Sequence, residues 1–195
     1  MKHFLMAAAA LGVLAAAVGA VPIREKPDKL SDSVVVMETS LGTIKIELFK
    51  DKAPLTVRNF LGYVDDRFYD GLIFHRVFPS FVIQGGAYKP GLVEKKGKAP
   101  VKNEADNGLS NLRGTVAVAR AVNPDSGTCQ FFINVQDNKF LDKSEARDGY
   151  AVFGKVIAGM DVVDKIKGVA TGARGGHANV PLNDVLIKSV RRERK

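Results

Sequence analysis

The stretch Ile73-Phe74-His75-Arg76-Val77-Phe78-Pro79-Ser80-Phe81-Val82-Ile83-Gln84-Gly85-Gly86 sets one permanent cation among large apolar side chains. A guanidinium taken out of water is costly unless it finds partners. From the residues alone, two readings of Arg76 stand open. It is either a cation held in an apolar hollow for use on a bound molecule, or a packed stem whose head reaches water or a carboxylate. Simple alternation points His75 to the face opposite Arg76, where it reads as a hydrogen-bonded core residue. A second run, Gln130-Phe131-Phe132-Ile133-Asn134-Val135, lies beyond Gly114-Thr115-Val116-Ala117-Val118-Ala119-Arg120. Alternation gives Gln130 and Phe132 one face, and Phe131 and Ile133 the other. Phe132 beside a small residue such as Ala119 could floor a shallow apolar pocket; plain core packing is the competing reading.

Other familiar chemistries lack their residues. Gly91 to Lys98 has a superficial likeness to a phosphate loop, but the Gly91–Gly97 spacing is one residue too long. Ala99 also stands where Ser or Thr should bind magnesium. Beyond His3 at the N-terminus, only His75 and His177 remain, without metal-ligand spacing. No Gly-x-Ser-x-Gly elbow occurs, which weakens a serine hydrolase reading. Cys129, the single cysteine, sits in an apolar run and reads as a buried, inert thiol.

These residues need a scaffold. The chain has 195 residues, 46% hydrophobic and 26% charged, enough for one domain with a full core. Lys2 followed by the uncharged, Ala-rich run Phe4 to Ala20 reads as a signal peptide over 1–20, cleaved after Val18-Gly19-Ala20. An uncleaved anchor is the alternative, since the run has the length of a marginal membrane span. Residues 21–33 read as a polar linker, 34–192 as the folded domain and 193–195 as a basic tail. The net charge of +8 is concentrated in Lys95, Lys96, Lys98 and the tail, and reads as a solubilising surface. These clusters lack the interleaved aromatics that nucleic-acid binding uses, so no nucleic acid is expected as a partner.

Val34 to Met37 and the alternating Ile44, Ile46 and Leu48 read as a hairpin around Ser40-Leu41-Gly42. Pro54 opens a helix whose Val57, Phe60, Leu61 and Val64 share one face. Short apolar segments follow at Leu72–Phe78, Phe81–Ile83, Thr115–Ala119, Gln130–Val135 and Ala151–Val156. A second helix is expected over Met160–Lys167 and a last strand over Val185–Val190. About eight strands and two helices without regular alternation argue for a closed antiparallel barrel.

Phe74 to Gly86 and Gln130-Phe131-Phe132-Ile133 resemble the two signature stretches of the cyclophilins. Supporting likenesses occur at Asn59-Phe60, Tyr69-Asp70-Gly71, Phe140-Leu141-Asp142 and Val152-Phe153-Gly154-Lys155-Val156, in the family's order. Asn103-Glu104-Ala105-Asp106-Asn107-Gly108-Leu109 further resembles the periplasmic bacterial branch. The resemblance implies an eight-stranded antiparallel β-barrel capped by two α-helices, with an active groove on its outer surface. It implies a peptidyl-prolyl cis–trans isomerase without cofactor or metal. Arg76, Gln84 and Phe132 then carry catalysis, while Phe81, Val82, Phe132 and Leu141 form the proline pocket, with Phe140 as a further aromatic wall. Ala119, Arg120 and Gln130 hold the flanking peptide, and Tyr150 either hydrogen-bonds through its hydroxyl or lines the pocket edge.

The implied partners are proline-containing segments of unfolded or exported proteins, met in the periplasm by a monomer with no stable membrane insertion once the signal is removed. Phe140 stands where many eukaryotic members carry Trp, and Tyr150 where they often carry His, so binding of the cyclic peptide cyclosporin is expected to be weak. Val82 in place of the frequent Met narrows the pocket. Two rival readings are a peptide-binding module with negligible turnover and a salt-sensitive binder acting through the basic loop and tail.

Overall fold

The computed structural model describes Met1 and residues 33–193. The segments read as signal peptide and linker fall, but for Met1 and Ser33, outside the described residues, as do Arg194 and Lys195. Twelve strands and two α-helices follow in the order β1 Val34–Thr39, β2 Gly42–Leu48, α1 Pro54–Asp65, β3 Leu72–Val77, β4 Val82–Gly85, β5 Tyr88–Lys89, β6 Val93–Glu94, β7 Thr115–Val118, β8 Phe131–Asn134, β9 Val152–Ala158, α2 Met160–Lys167, β10 Thr171–Arg174, β11 His177–Pro181 and β12 Leu186–Arg192.

Eight strands close into an antiparallel barrel in the order β1-β12-β3-β4-β8-β7-β9-β2. Closure leaves no unpaired edge. The sequence reading of a closed eight-stranded barrel with two helices therefore holds, with α2 over the residues expected. Two short hairpins, β5–β6 and β10–β11, were not legible in the hydrophobic pattern and lie outside the barrel sheet.

The interior is filled by one side of every barrel strand. Met37, Ile44, Ile46, Phe74, Ile83, Val116, Phe131, Ile133, Phe153 and Ile187 form one buried cluster with the apolar faces of α1 and α2. Val57, Phe60, Leu61 and Val64 of α1 enter it at the helical spacing read from the sequence. Within it Phe60 meets Phe131 edge-on at 6.0 Å and Tyr69 meets Phe131 at 5.6 Å. Tyr69 also donates its hydroxyl to the carbonyl of Cys129 at 3.0 Å.

Ala53 offers the N-terminus of α1 no side-chain cap. Glu104, from a distant loop, takes that role by accepting from the backbone N–H groups of Leu55 and Thr56 at 3.0 and 2.8 Å. Two of the basic-loop lysines are likewise structural. Lys95 donates to the carbonyl of Phe68 at 2.6 Å and lies over its ring, and Lys98 pairs with Asp66 at 2.5 Å. Glu193, read as tail, is instead tied to the sheet: its N–H donates to Val34 at 2.8 Å and its carboxylate meets Lys45 at 2.6 Å. Among the described residues no helix is long and apolar enough to cross a membrane.

Candidate active site

The strands of the site alternate as β-strands must, with one break that decides where Arg76 points. Phe74 pairs with Gly85, but Arg76 pairs with Gln84, so His75 is an extra residue on β3. This is a β-bulge, a device that re-aims side chains. Its effect is visible in the core: Leu72, Phe74 and Val77 all enter the interior cluster, although Phe74 and Val77 are three residues apart. Strict alternation would send Arg76 inside with Phe74. The bulge turns it outward instead, onto the barrel surface.

The bulge also corrects the expectation for His75. It is buried, 6% exposed, against the ring of Tyr88 at 4.6 Å between centroids. Its Nδ1 has no hydrogen-bond partner, contrary to the hydrogen-bonded reading. Burial, with smaller contributions from His177 and Arg76, lowers its pKa to about 4, so the ring is neutral at physiological pH.

From Arg76 one register row crosses the outer face. Arg76 pairs with Gln84, Gln84 with Phe132, and Phe132 with Ala117, which pairs in turn with Val152. A cation, an amide, an aromatic ring and two small or branched side chains thus lie side by side, each one strand spacing from the next. Val82, Ala117, Phe132 and Val152 form a second buried cluster, separate from the interior one. Phe81, Ala119, Leu141 and Tyr150 pack around it, partly exposed. The alternation read for Gln130–Ile133 is seen here: Phe131 and Ile133 face inward and Phe132 outward.

The second cluster floors a cavity of about 140 Å³ lined by Arg76, Phe81, Val82, Gln84, Ala119, Arg120, Phe132, Leu141 and Tyr150. Nine of the eleven residues named from the sequence therefore meet in one hollow. Gln130, the tenth, braces it: Gln84 Nε2 donates to Gln130 Oε1 at 2.9 Å. Phe140 does not line the hollow; it stacks on the outer side of Phe81, 5.6 Å between centroids and 19° between planes, and is 55% exposed.

The guanidinium of Arg76 is held loosely. Its Nη1 donates to Gln84 Oε1 at 3.5 Å, the outer limit of a hydrogen bond, and its Cζ stands 5.9 Å from the Phe81 ring centroid. Arg120 is fixed instead. It donates to the carbonyl of Gly149 at 3.0 and 2.9 Å and to Ala121 at 3.0 Å, and lies 4.5 Å over the Tyr150 ring. Arg120 thus walls the cavity, and Arg76 keeps donors in reserve. Gly149 must be glycine here, since its φ is +67° and a Cβ would meet the Lys143 backbone at 2.4 Å.

Residues that sequence reasoning missed hold these walls in place. Asn111, Asn134 and Asn138 are fully buried. Asn138 donates to the carbonyl of Phe81 and to Asn134 Oδ1; Asn134 donates to Asn111 Oδ1 and Thr115 Oγ1. Asn111 then reaches the carbonyl of Tyr150 and the carboxylate of Asp142, which Ser110 also contacts. Burial raises the Asp142 pKa, but the Ser110 hydroxyl and the two N–H donors of Asn111 outweigh it, leaving the pKa below the ordinary value. Polar residues in apolar runs, such as Asn134 after Phe131-Phe132-Ile133, were the available signal.

A larger groove of about 570 Å³ runs along α1, where Pro54, Val57 and Leu61 lie among the charged side chains of Lys50, Arg58, Asp65 and Arg192, without an aromatic ring.

The comparisons with known proteins agree with this geometry. The family model "Cyclophilin type peptidyl-prolyl cis-trans isomerase/CLD" matches residues 34–192. A peptidyl-prolyl cis-trans isomerase of Acinetobacter baylyi is 58% identical over 161 residues, covering 83% of this chain and 86% of that one. Peptidyl-prolyl cis-trans isomerase B of Escherichia coli is 56% identical over 160 residues, covering 80% and 98%. Among solved structures, a Cryptosporidium parvum cyclophilin-type isomerase in the presence of the dipeptide Ala-Pro superposes with a TM-score of 0.72 at 26% identity, covering 83% of this chain and 99% of that one. The family model spans the whole barrel and the Acinetobacter baylyi and Escherichia coli relatives match it at more than half of the aligned residues, so the chain belongs to the cyclophilin family of peptidyl-prolyl cis–trans isomerases.

Proposed function

We propose that this isomerase seats the proline ring of an Xaa-Pro segment in the 140 Å³ hollow and uses Arg76 to stabilise the twisted amide. The barrier to rotation about a peptide C–N bond, roughly 18–20 kcal/mol, arises from amide resonance. Twisting the bond breaks conjugation and localises a lone pair on the proline nitrogen. A cation aimed there favours the twisted state over either planar one, which is the differential binding that catalysis requires. The floor of Val82 and Phe132 keeps the ring fixed and water out. The N–H of Gln84 is committed to Gln130, which leaves its oxygen facing Arg76 as an orienting acceptor.

The observation that carries this reading is the bulge at His75, which brings a guanidinium with uncommitted donors to the rim of an apolar hollow. A protease-free exchange assay on a short Xaa-Pro peptide tests it. Arg76→Ala is expected to lower kcat/KM by about 10²–10³-fold, the scale seen when one transition-state donor is removed, with little change in melting temperature. Equal rates would sink the mechanism.

The same reading extends to biology. The Ala-rich N-terminus supports export to the periplasm, where the substrates are proline-containing segments of unfolded exported proteins. There the enzyme acts as a monomer without cofactor, on bonds whose uncatalysed isomerisation takes tens to hundreds of seconds. Phe140 offers no indole N–H, which supports weak cyclosporin binding. Intact mass of the mature protein, beginning at Val21, checks export with cleavage.

A further inference from the structure

Three phenyl rings continue from the proline hollow over the protein surface. Phe78 meets Phe81 edge-on, 6.0 Å between centroids at 89°, and Phe140 stacks on the other side of Phe81 at 5.6 Å. Phe78 is 36% exposed and Phe140 55% exposed. Neither belongs to the interior cluster or to the cluster beneath the hollow. Adjoining exposed aromatic rings are uncommon on a surface that binds nothing apolar.

The rings are also held in place. Phe78 N–H donates to the carbonyl of Val82 at 2.9 Å and Phe81 N–H to that of Phe78 at 3.0 Å, closing the turn around Pro79-Ser80. The carbonyl of Phe81 accepts from Asn138 Nδ2 at 2.9 Å and from Val135 N–H at 3.1 Å. Phe140 rides on a single 3-10 turn, Lys139–Leu141, whose Leu141 N–H donates to Asn138 at 2.8 Å. One buried asparagine therefore anchors both turns. An aromatic surface ordered before binding loses little freedom when a ligand covers it.

We propose that Phe78, Phe81 and Phe140 form a second apolar seat, which selects Xaa-Pro segments carrying a large apolar side chain, best an aromatic one, within two residues of the proline. The proposal rests on the reading of the hollow as the proline site. Phe81 belongs to both surfaces, so the seat is continuous with that site. An extended peptide advances about 3.3 Å per residue, so rings about 6 Å from Phe81 are reached one or two residues from a proline lying against it. The seat lies on the Phe81 side of the hollow. Its occupant is the exposed apolar residue of an unfolded chain.

The test uses four-residue peptides with Ala or Phe placed in turn at each position flanking proline. Exchange rates by NMR give kcat/KM, and titration gives Kd. At one flank, Phe is expected to improve both kcat/KM and Kd about 3- to 10-fold over Ala, the scale of an aromatic pair. Phe78→Ala and Phe140→Ala should each shrink that ratio towards one, and Phe78→Leu should restore part of it. A ratio near one in the wild type at every flank, or a ratio unmoved by both alanine variants, overturns the seat. Concentration-dependent self-association abolished by Phe78→Ala overturns it in favour of a second copy of the chain. Binding without turnover of any peptide overturns the isomerase reading, while the Kd ratio still decides the seat.

Discussion

The side-chain amide of Asn138 donates to the carbonyl of Phe81 at 2.9 Å, linking residues 57 apart in sequence. That bond joins the turn after β3 to the turn after β8, and each turn supplies a wall of the hollow. Its other N–H goes to Asn134 Oδ1 at 2.8 Å, so the amide is committed on both donors. Through Asn134 and Asn111 the same ladder reaches the carbonyl of Tyr150. The walls at Phe81, Leu141 and Tyr150 are thereby tied to one buried polar strip. A satisfied strip of this kind rigidifies, and an interrupted one is costly.

Asn138→Ala removes both donors and leaves the Phe81 and Asn134 oxygens short of partners. The expected loss is about 1–3 kcal/mol of unfolding free energy, measured by urea denaturation. KM for an Xaa-Pro peptide should rise more than kcat falls, because the hollow loosens while Arg76 keeps its place. A variant with wild-type KM would show that the amide serves stability alone.

Gln84 separates two roles of the row. Gln84→Glu places a carboxylate against Arg76, tightening its hold while neutralising the cation on which the proposed mechanism depends. Catalysis by the free guanidinium then predicts a kcat/KM about tenfold lower or worse, with an unchanged or higher melting temperature. If positioning of Arg76 were the limiting factor, the same variant would be faster.

Much of the site was legible because its strands obey period two. Phe131 and Ile133 inside, with Phe132 outside, follow from alternation alone. The orientation of Arg76 did not, since the extra residue at His75 exists only in relation to Gly85 and Gln84 on the partner strand. A bulge leaves no mark in the hydrophobic pattern of one strand. The β5–β6 and β10–β11 hairpins were invisible for a related reason, because Tyr88–Lys89 and Thr171–Arg174 bury too little to show a face. Glu104 and Asn138 act over 48 and 57 residues of sequence, distances across which local spacing carries no information. Family resemblance located the pocket residues and was silent on what holds them.

Glu104 is the cap that local sequence could not show. Glu104→Ala frees the N–H groups of Leu55 and Thr56 at the first turn of α1 and removes a negative charge from the positive end of the helix dipole. A loss of about 1 kcal/mol is expected, seen as a lowered melting temperature, with Glu104→Gln retaining part of it. The isomerase rate of the folded variant should not change, since Glu104 does not line the hollow. An unaltered melting temperature would mean that water replaces the carboxylate at no cost.

His75 gives the fold a pH dependence whose sign is fixed by burial. Its pKa falls from 6.5 to about 4 on folding, because the charged ring would lie out of water, near His177 and Arg76. The unfolded chain therefore binds a proton that the folded one refuses, and stability drops as pH falls from 6.5 towards 4. The full drop is roughly 3 kcal/mol, and about 2 kcal/mol of it is reached by pH 5. Asp65 and Asp70 work in a different window: the Arg192 and Arg191 hydrogen bonds hold their pKa values below the ordinary range, so their share is lost only at lower pH. Urea denaturation at pH 7.5 and 5.0 separates the groups. Wild type should lose stability between the two, and His75→Gln, which titrates nothing there, should lose far less. Equal losses in both proteins would place the proton elsewhere, and His75 would then be a ring packed on Tyr88 with no part in acid sensitivity.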